Sequence, residues 1–119
     1  MMRRHTILAA VVAALLSLGC APQQPLIYRW GVYEDLVYEM YAKPGSADPG
    51  TQVAKLSEDI TRTQAEGKRV PPGVHAHLGY MYYLQGNTGA AYQEFATERE
   101  LFPESATFVN GIQQRLRKE

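Results

Sequence analysis

The sequence predicts an all-α protein of about five helices, and three observations predict it. Apolar residues recur at spacings of three and four along most of the chain, from Trp30 to Leu116. Residues that start and stop helices punctuate that pattern at Asp48–Pro49, Gly67, Pro71–Pro72 and Pro103. No segment alternates apolar and polar residues as a half-buried strand does.

Length and charge set the outer bounds. The chain has 119 residues, 12 basic and 12 acidic, which suits one small domain with an added segment and leaves no basic patch for nucleic acid. The added segment is N-terminal. Arg3, Arg4 and His5 precede the apolar run ILAAVVAALLSLG, Ile7 to Gly19, which is too short to span a bilayer comfortably and reads as a signal peptide over residues 1–19. It ends at Cys20, the only cysteine, in the local sequence LLSLGC. One cysteine forms no internal disulfide, and small Gly19 directly before it suits a lipobox, so Cys20 is expected to carry the lipid anchor as first residue of the mature chain. Ser17 and Leu18 invert the commoner lipobox order of Leu followed by a small residue. Ala21, where an Asp would mark inner-membrane retention in Gram-negative lipoproteins, implies export to the periplasmic face of the outer membrane by resemblance to that system. Residues 20–26 then form a lipidated cysteine and short tether, and 27–119 a helical domain.

Within that domain Trp30, Tyr33, Val37, Met40 and Tyr41 fall on one stripe of a first helix, ended by Lys43, Pro44 and Gly45. Asp48 caps a second helix with Pro49 in its first position; Val53, Leu56 and Ile60 mark its apolar face and Gly67 closes it. Pro71 and Pro72 open a third helix that runs to about Leu84, and the turn QGNTG leads to a fourth from about Thr88 to Phe102. Pro103 breaks the chain, and Ser105 is expected to cap a fifth helix with apolar positions Phe108, Val109, Ile112 and Leu116. Arg115, Arg117 and Lys118 suit that helix's negative C-terminal end.

The stretch LGYMYYLQGNTGAAYQEFATERELFP, Leu78 to Pro103, is the most informative. Gly79 and Ala91 are small where two antiparallel helices would approach most closely, and Leu78, Tyr82 and Phe95 would fill the space around that contact. Together with Pro103 these positions resemble the tetratricopeptide repeat, a helical hairpin of about thirty-four residues. Two positions depart from it. His75 stands in place of the repeat's tryptophan, and Glu98 replaces a small residue, which implies looser packing at the outer end of the hairpin. One repeat leaves its faces uncovered, so the flanking helices are expected to complete the stack.

The polar residues point away from chemistry. His75 and His77 are two apart, about 200° around a helix, so they cannot share one metal; one packed and one solvated histidine is the expectation. Glu34–Asp35 and Glu58–Asp59 diverge on their helices and read as solvated. No phosphate loop, nucleophile elbow or HExxH occurs. The expectation is a non-enzyme without cofactor, metal or catalytic residues.

Eight tyrosines remain, several clustered after the tether. Most are expected to fill a small core, with some facing outward as a contact surface. Tyr38, off the stripe of the first helix, is the best such candidate for partner binding, followed by Tyr83 and Tyr92, with Arg99 beside them. The segments YRWGVYEDLVYEMY and GYMYYLQGNTGAAYQEFATERELFPES, with the lipobox, resemble a family of small uncharacterised Gram-negative outer-membrane lipoproteins with a tetratricopeptide-like fold. That resemblance implies partners: a curli-secretion-type (CsgG-like) lipoprotein and a second small lipoprotein, in an envelope assembly. A lipid-anchored adaptor is therefore the favoured function, and a peptidoglycan- or glycan-binding module the alternative.

Overall fold

The computed structural model describes residues 27–118. The expected signal peptide, residues 1–19, and the expected lipidated Cys20 and tether, residues 20–26, lie outside the described residues. Among the described residues five α-helices follow one another: α1 Tyr33–Ala42, α2 Pro49–Ala65, α3 Val74–Leu84, α4 Thr88–Leu101 and α5 Ala106–Leu116, with a 3-10 turn, Pro103–Ser105, before the last. The fold class is all-α. Among the described residues the only extended pairing is an isolated parallel bridge between Tyr28 and Arg69.

Local chemistry explains most helix ends. Asp48 accepts the N–H groups of Gly50 and Thr51 at 2.9 and 3.1 Å and the Thr51 hydroxyl at 2.6 Å, the N-cap read from the sequence. These hydrogen bonds, led by that from the hydroxyl, hold the Asp48 carboxyl below its usual pKa. Gly67 takes a positive φ of 66° just past the end of α2, and Gly86 one of 77° after α3. Asn87 caps α4 by accepting the Ala90 N–H at 3.2 Å. Ser105 behaves differently from expectation. Its hydroxyl donates to the Phe102 carbonyl at 2.7 Å instead of capping α5, because the 3-10 turn already carries the backbone into the helix.

Helices α3 and α4 form the tightest pair. Both are apolar at their crossing, where Gly79 is buried and Ala91 and Phe95 have no exposure. A Cβ on Gly79 would sit 2.8 Å from the Phe95 ring and 2.9 Å from the Ala91 carbonyl, so only glycine permits this approach. Phe95, Ala91, Ala76 and Val109 form one core cluster, with Ile112 and Leu116 of α5 packed on it. A second cluster joins the first three helices through Leu36, Leu56, Val70, Val74 and Leu78.

The buried residue of α1 is Leu36, off the stripe that the sequence marked. That helix has two apolar faces. Leu36 enters the core, while the Tyr33–Val37–Tyr41 stripe turns toward α5 across an open groove. Ahead of α1 the lead-in segment is pinned. Arg29 pairs with Asp59, donates to Thr63 Oγ1 at 3.1 Å and lies 3.4 Å from Glu66; its backbone N–H donates to the Arg69 carbonyl at 3.1 Å. Asp59 also accepts the Val32 N–H at 3.3 Å, so it is a tie between segments and not the solvated group expected. Its partner lies 30 residues away, beyond any helical periodicity.

Candidate functional site

Three helices each contribute one face to a groove of about 450 Å³, within the range of ligand-binding clefts. Tyr33, Val37, Met40 and Tyr41 of α1 form one wall. Gly73, Ala76, His77 and Tyr80, at the start and along α3, form the floor, and Phe108, Ile112, Arg115 and Leu116 of α5 the opposite wall. Each set repeats at three- and four-residue spacing, which is one face of a helix. The other two helices, α2 and α4, take no part in the lining.

The floor is stiffened from below. Gly73 adopts a φ of 94°, and a Cβ there would meet Tyr33 Oη at 3.2 Å, so the chain turns into α3 beneath the tyrosine only because glycine lacks a side chain. The first turn of α3 has no cap of its own. Glu98 of α4 supplies one: its carboxylate accepts the Gly73 N–H at 2.7 Å and the Ala76 N–H at 3.3 Å, and its side chain is fully buried. This corrects the expectation of loose packing at Glu98. A carboxylate replaces the small residue of the repeat because the facing helix end offers unpaired N–H donors.

Both histidines are employed. His75 is buried, with Nδ1 2.6 Å from Glu94 Oε2 across the hairpin. His77 sits in the groove floor, edge-on to Tyr33 with ring centroids 5.7 Å apart. Since Gln52 donates its amide N–H to the Ala47 carbonyl at 2.9 Å, its oxygen is left to accept from His77 Nε2 at 2.7 Å. His75 is packed, and His77 is half-buried and hydrogen-bonded where a freely solvated ring was expected, because α2 and α4 close on α3 from different sides. Burial lowers the His77 pKa and raises that of the Tyr33 phenol, the latter helped by the negative charge of Glu98. The floor is therefore neutral near neutral pH, and Arg115 is the one formally charged side chain in the lining.

The sequence-selected contact residues divide. Tyr38 is 62% exposed on the outer side of α1, as expected. Tyr83 donates its hydroxyl to the Leu116 carbonyl at 2.9 Å and ties α3 to the end of α5. Tyr92 packs edge-on against Phe95 at 6.2 Å, and Arg99 donates to Gln113 at 2.7 Å and Asn110 at 3.3 Å. Tyr83 and Arg99 thus tie α3 and α4 to α5, Tyr92 packs on the core cluster that contains Val109, and all three are half-buried. The aromatic residues that do open onto the groove are Tyr41, 76% exposed, and Phe108, 60% exposed. Tyr41 was marked by the stripe of α1 and Phe108 by that of α5; which stripe faces inward depends on where each helix's neighbours lie.

A smaller cleft of about 260 Å³ between α1 and α2 is lined by charges of both signs, among them Asp35, Lys55, Glu58 and Arg62, the last two paired at 3.0 Å. Among the described residues no group of three or more His, Cys, Asp or Glu side chains could hold a metal ion, and no helix is long and apolar enough to cross a membrane.

An all-α chain with one aromatic groove belongs to a broad class of helical proteins, and comparison with known proteins narrows it. Residues 27–112, most of the chain and nearly all of the described part, match the family described as Domain of unknown function (DUF4810), and the chain belongs to that family. Comparison with curated proteins finds no match, and comparison with solved structures finds none either.

Proposed function

We propose that this protein is a lipid-anchored adaptor at the periplasmic face of the outer membrane that holds a segment of a partner protein in the groove between α1, α3 and α5. The groove is the observation that carries the reading: it is apolar on two walls, rimmed by the exposed rings of Tyr41 and Phe108, and open enough to receive side chains from outside. Contact surfaces concentrate their binding energy in such aromatic anchors. The lone cation, Arg115, favours a segment that carries a carboxylate beside its apolar residues.

Three further features support parts of the proposal. The Gly79–Ala91–Phe95 contact has the form that a tetratricopeptide hairpin requires, with α5 as the next helix of the stack. The basic head, apolar run and Cys20 support the lipid anchor, and Ala21 the outer membrane. The resemblance of the sequence to companions of curli-secretion-type (CsgG-like) lipoproteins makes such a lipoprotein, with the second small lipoprotein, the first partner to try.

Crosslinking in intact envelopes tests the adaptor. With a photoreactive group at Tyr41 or Phe108, a reproducible protein partner should be captured, and capture should fail from Glu58 in the smaller cleft between α1 and α2. Capture of none at either groove position would end the proposal. The exposed aromatic rim also suits stacking on sugar rings, so glycan binding is the second reading; sedimentation with isolated peptidoglycan, lost on Tyr41→Ala, would favour it. Cys20→Ala should leave the protein uncleaved or outside the outer-membrane fraction, and normal outer-membrane recovery of that variant would remove the anchor.

A further inference from the structure

Two large apolar side chains are exposed at the corner where the described chain begins. Ile27 is 67% exposed and Trp30 38%, and neither lines the groove. This exposure does not come from a loose end. Between Ile27 and Trp30 the chain is clamped by Tyr28, whose ring meets Phe102 edge-on at 6.1 Å under the Arg69 guanidinium, and by Arg29 on Asp59. Trp30 stacks on Tyr33 at 6.4 Å, which fixes one face of the indole and leaves its other side outward.

The length of chain before this corner says what covers it. Six residues, Ala21 to Leu26, separate Cys20 from Ile27, and fully extended they reach roughly 20 Å. Acyl chains on Cys20 would therefore keep this corner closer to the bilayer than any other part of the domain. A surface already held there by its tether gives up little further translational freedom on contact. Tryptophan and tyrosine are the side chains that settle at the boundary between lipid and water, with ring in the apolar layer and N–H or O–H among the headgroups. The charges near them include Arg29, paired with Asp59 and Glu66, and Arg69 over Tyr28, against Glu34, Asp35 and Glu39 of α1, so no cationic excess draws the corner to an anionic surface.

We infer that the corner formed by Ile27 and Trp30 seats on a zwitterionic phospholipid surface and holds the domain against the membrane in one orientation. The inference rests on the reading of Cys20 as the lipid anchor. It gives Trp30 a lipid neighbour and leaves the groove to the protein partner.

Trp30 is the only tryptophan in the chain, so its fluorescence reports on this corner alone. The acylated full-length mature protein would be placed in phosphatidylcholine vesicles with plain or brominated acyl chains, and acylation of Cys20 checked on the same sample by mass spectrometry. Seated at the interface, Trp30 should emit at shorter wavelength, lose roughly half its intensity to the brominated lipid and resist aqueous iodide. Ile27→Glu, at an exposed position, should abolish the bromine quenching while the helical circular dichroism and melting stay unchanged. An acylated protein whose Trp30 emission is the same in both vesicles and open to iodide would overturn the inference and leave the anchor standing. Equal quenching in Ile27→Glu would overturn the assignment of this corner, and a Cys20 without acyl groups would overturn anchor and inference together.

Discussion

The Glu98 carboxylate accepts the backbone N–H of Gly73 at 2.7 Å, so that a side chain near the end of α4 caps the beginning of α3. The floor of the groove thus depends on a residue outside the groove. A second bond, from the Ala76 N–H at 3.3 Å, uses the other carboxylate oxygen. Glu98→Ala would leave both donors buried without a partner, at a cost on the order of 1 to 3 kcal/mol. In a domain this small, thermal melting should fall by several degrees or more. Glu98→Gln keeps one acceptor and should fall between; a Glu98→Ala variant that melts with the wild type would show that the cap contributes nothing.

The α3–α4 crossing makes a sharper prediction through two glycines. Gly79→Ala places a methyl group 2.8 Å from the Phe95 ring and 2.9 Å from a carbonyl that cannot move aside, and should cost about 1 to 3 kcal/mol. Gly89, in the first turn of α4, has nothing within 4 Å of an added Cβ, and Gly89→Ala should stabilise by roughly 0.4 to 1 kcal/mol. Chemical denaturation of the two variants should move in opposite directions. Equal tolerance of both would mean that the helices do not touch at Gly79.

Acid should weaken the groove floor through His77. Its pKa in the folded protein is lowered by burial, below the ordinary value of about 6.5 that it regains on unfolding. In the window below about pH 6.5 the unfolded chain therefore binds more protons than the folded one, and stability falls as pH falls. Above that window the contribution is complete. Melting followed from about pH 7.5 down to about pH 5 should show this decline, and His77→Gln should make it shallower. The Asp48 carboxyl, held down by its cap bonds, loses its contribution only at lower pH, so it does not confuse the test.

Binding and folding should separate cleanly between the rim of the groove and the residues behind it. Tyr41→Ala removes a ring that is mostly in solvent, so stability should change by no more than about 0.5 kcal/mol. Affinity for the crosslinked partner should drop by about 2 kcal/mol, measured by titration calorimetry with that partner. Tyr83→Ala should do the reverse first. It removes the hydroxyl that holds the Leu116 carbonyl, so melting falls and any loss of binding follows from the displacement of α5. A Tyr41→Ala variant with undiminished affinity would move the contact off the groove.

The sequence by itself determined the helices and their closest contact. Helix periodicity and capping are local: Asp48 bonds to residues two and three positions away, and Gly67 turns the chain two residues past the end of α2. The small residues at Gly79 and Ala91 were legible because close approach of two backbones leaves few residue types possible. The stripes of α1 and α5 were legible too, but not their orientation, since a helix with more than one apolar face is turned by its neighbours and not by its own pattern. Only the tertiary structure decided the polar roles. Glu98, Asp59, His77 and Arg99 looked like a misfit, a solvated acid, a half-free ring and a surface anchor, and became a cap, a tie, a hydrogen-bonded floor and a clamp on α5. Their partners lie between 11 and 30 residues away in the chain. A buried polar group must find a donor or acceptor, but which one it finds is settled by the packing of helices that share no local signal.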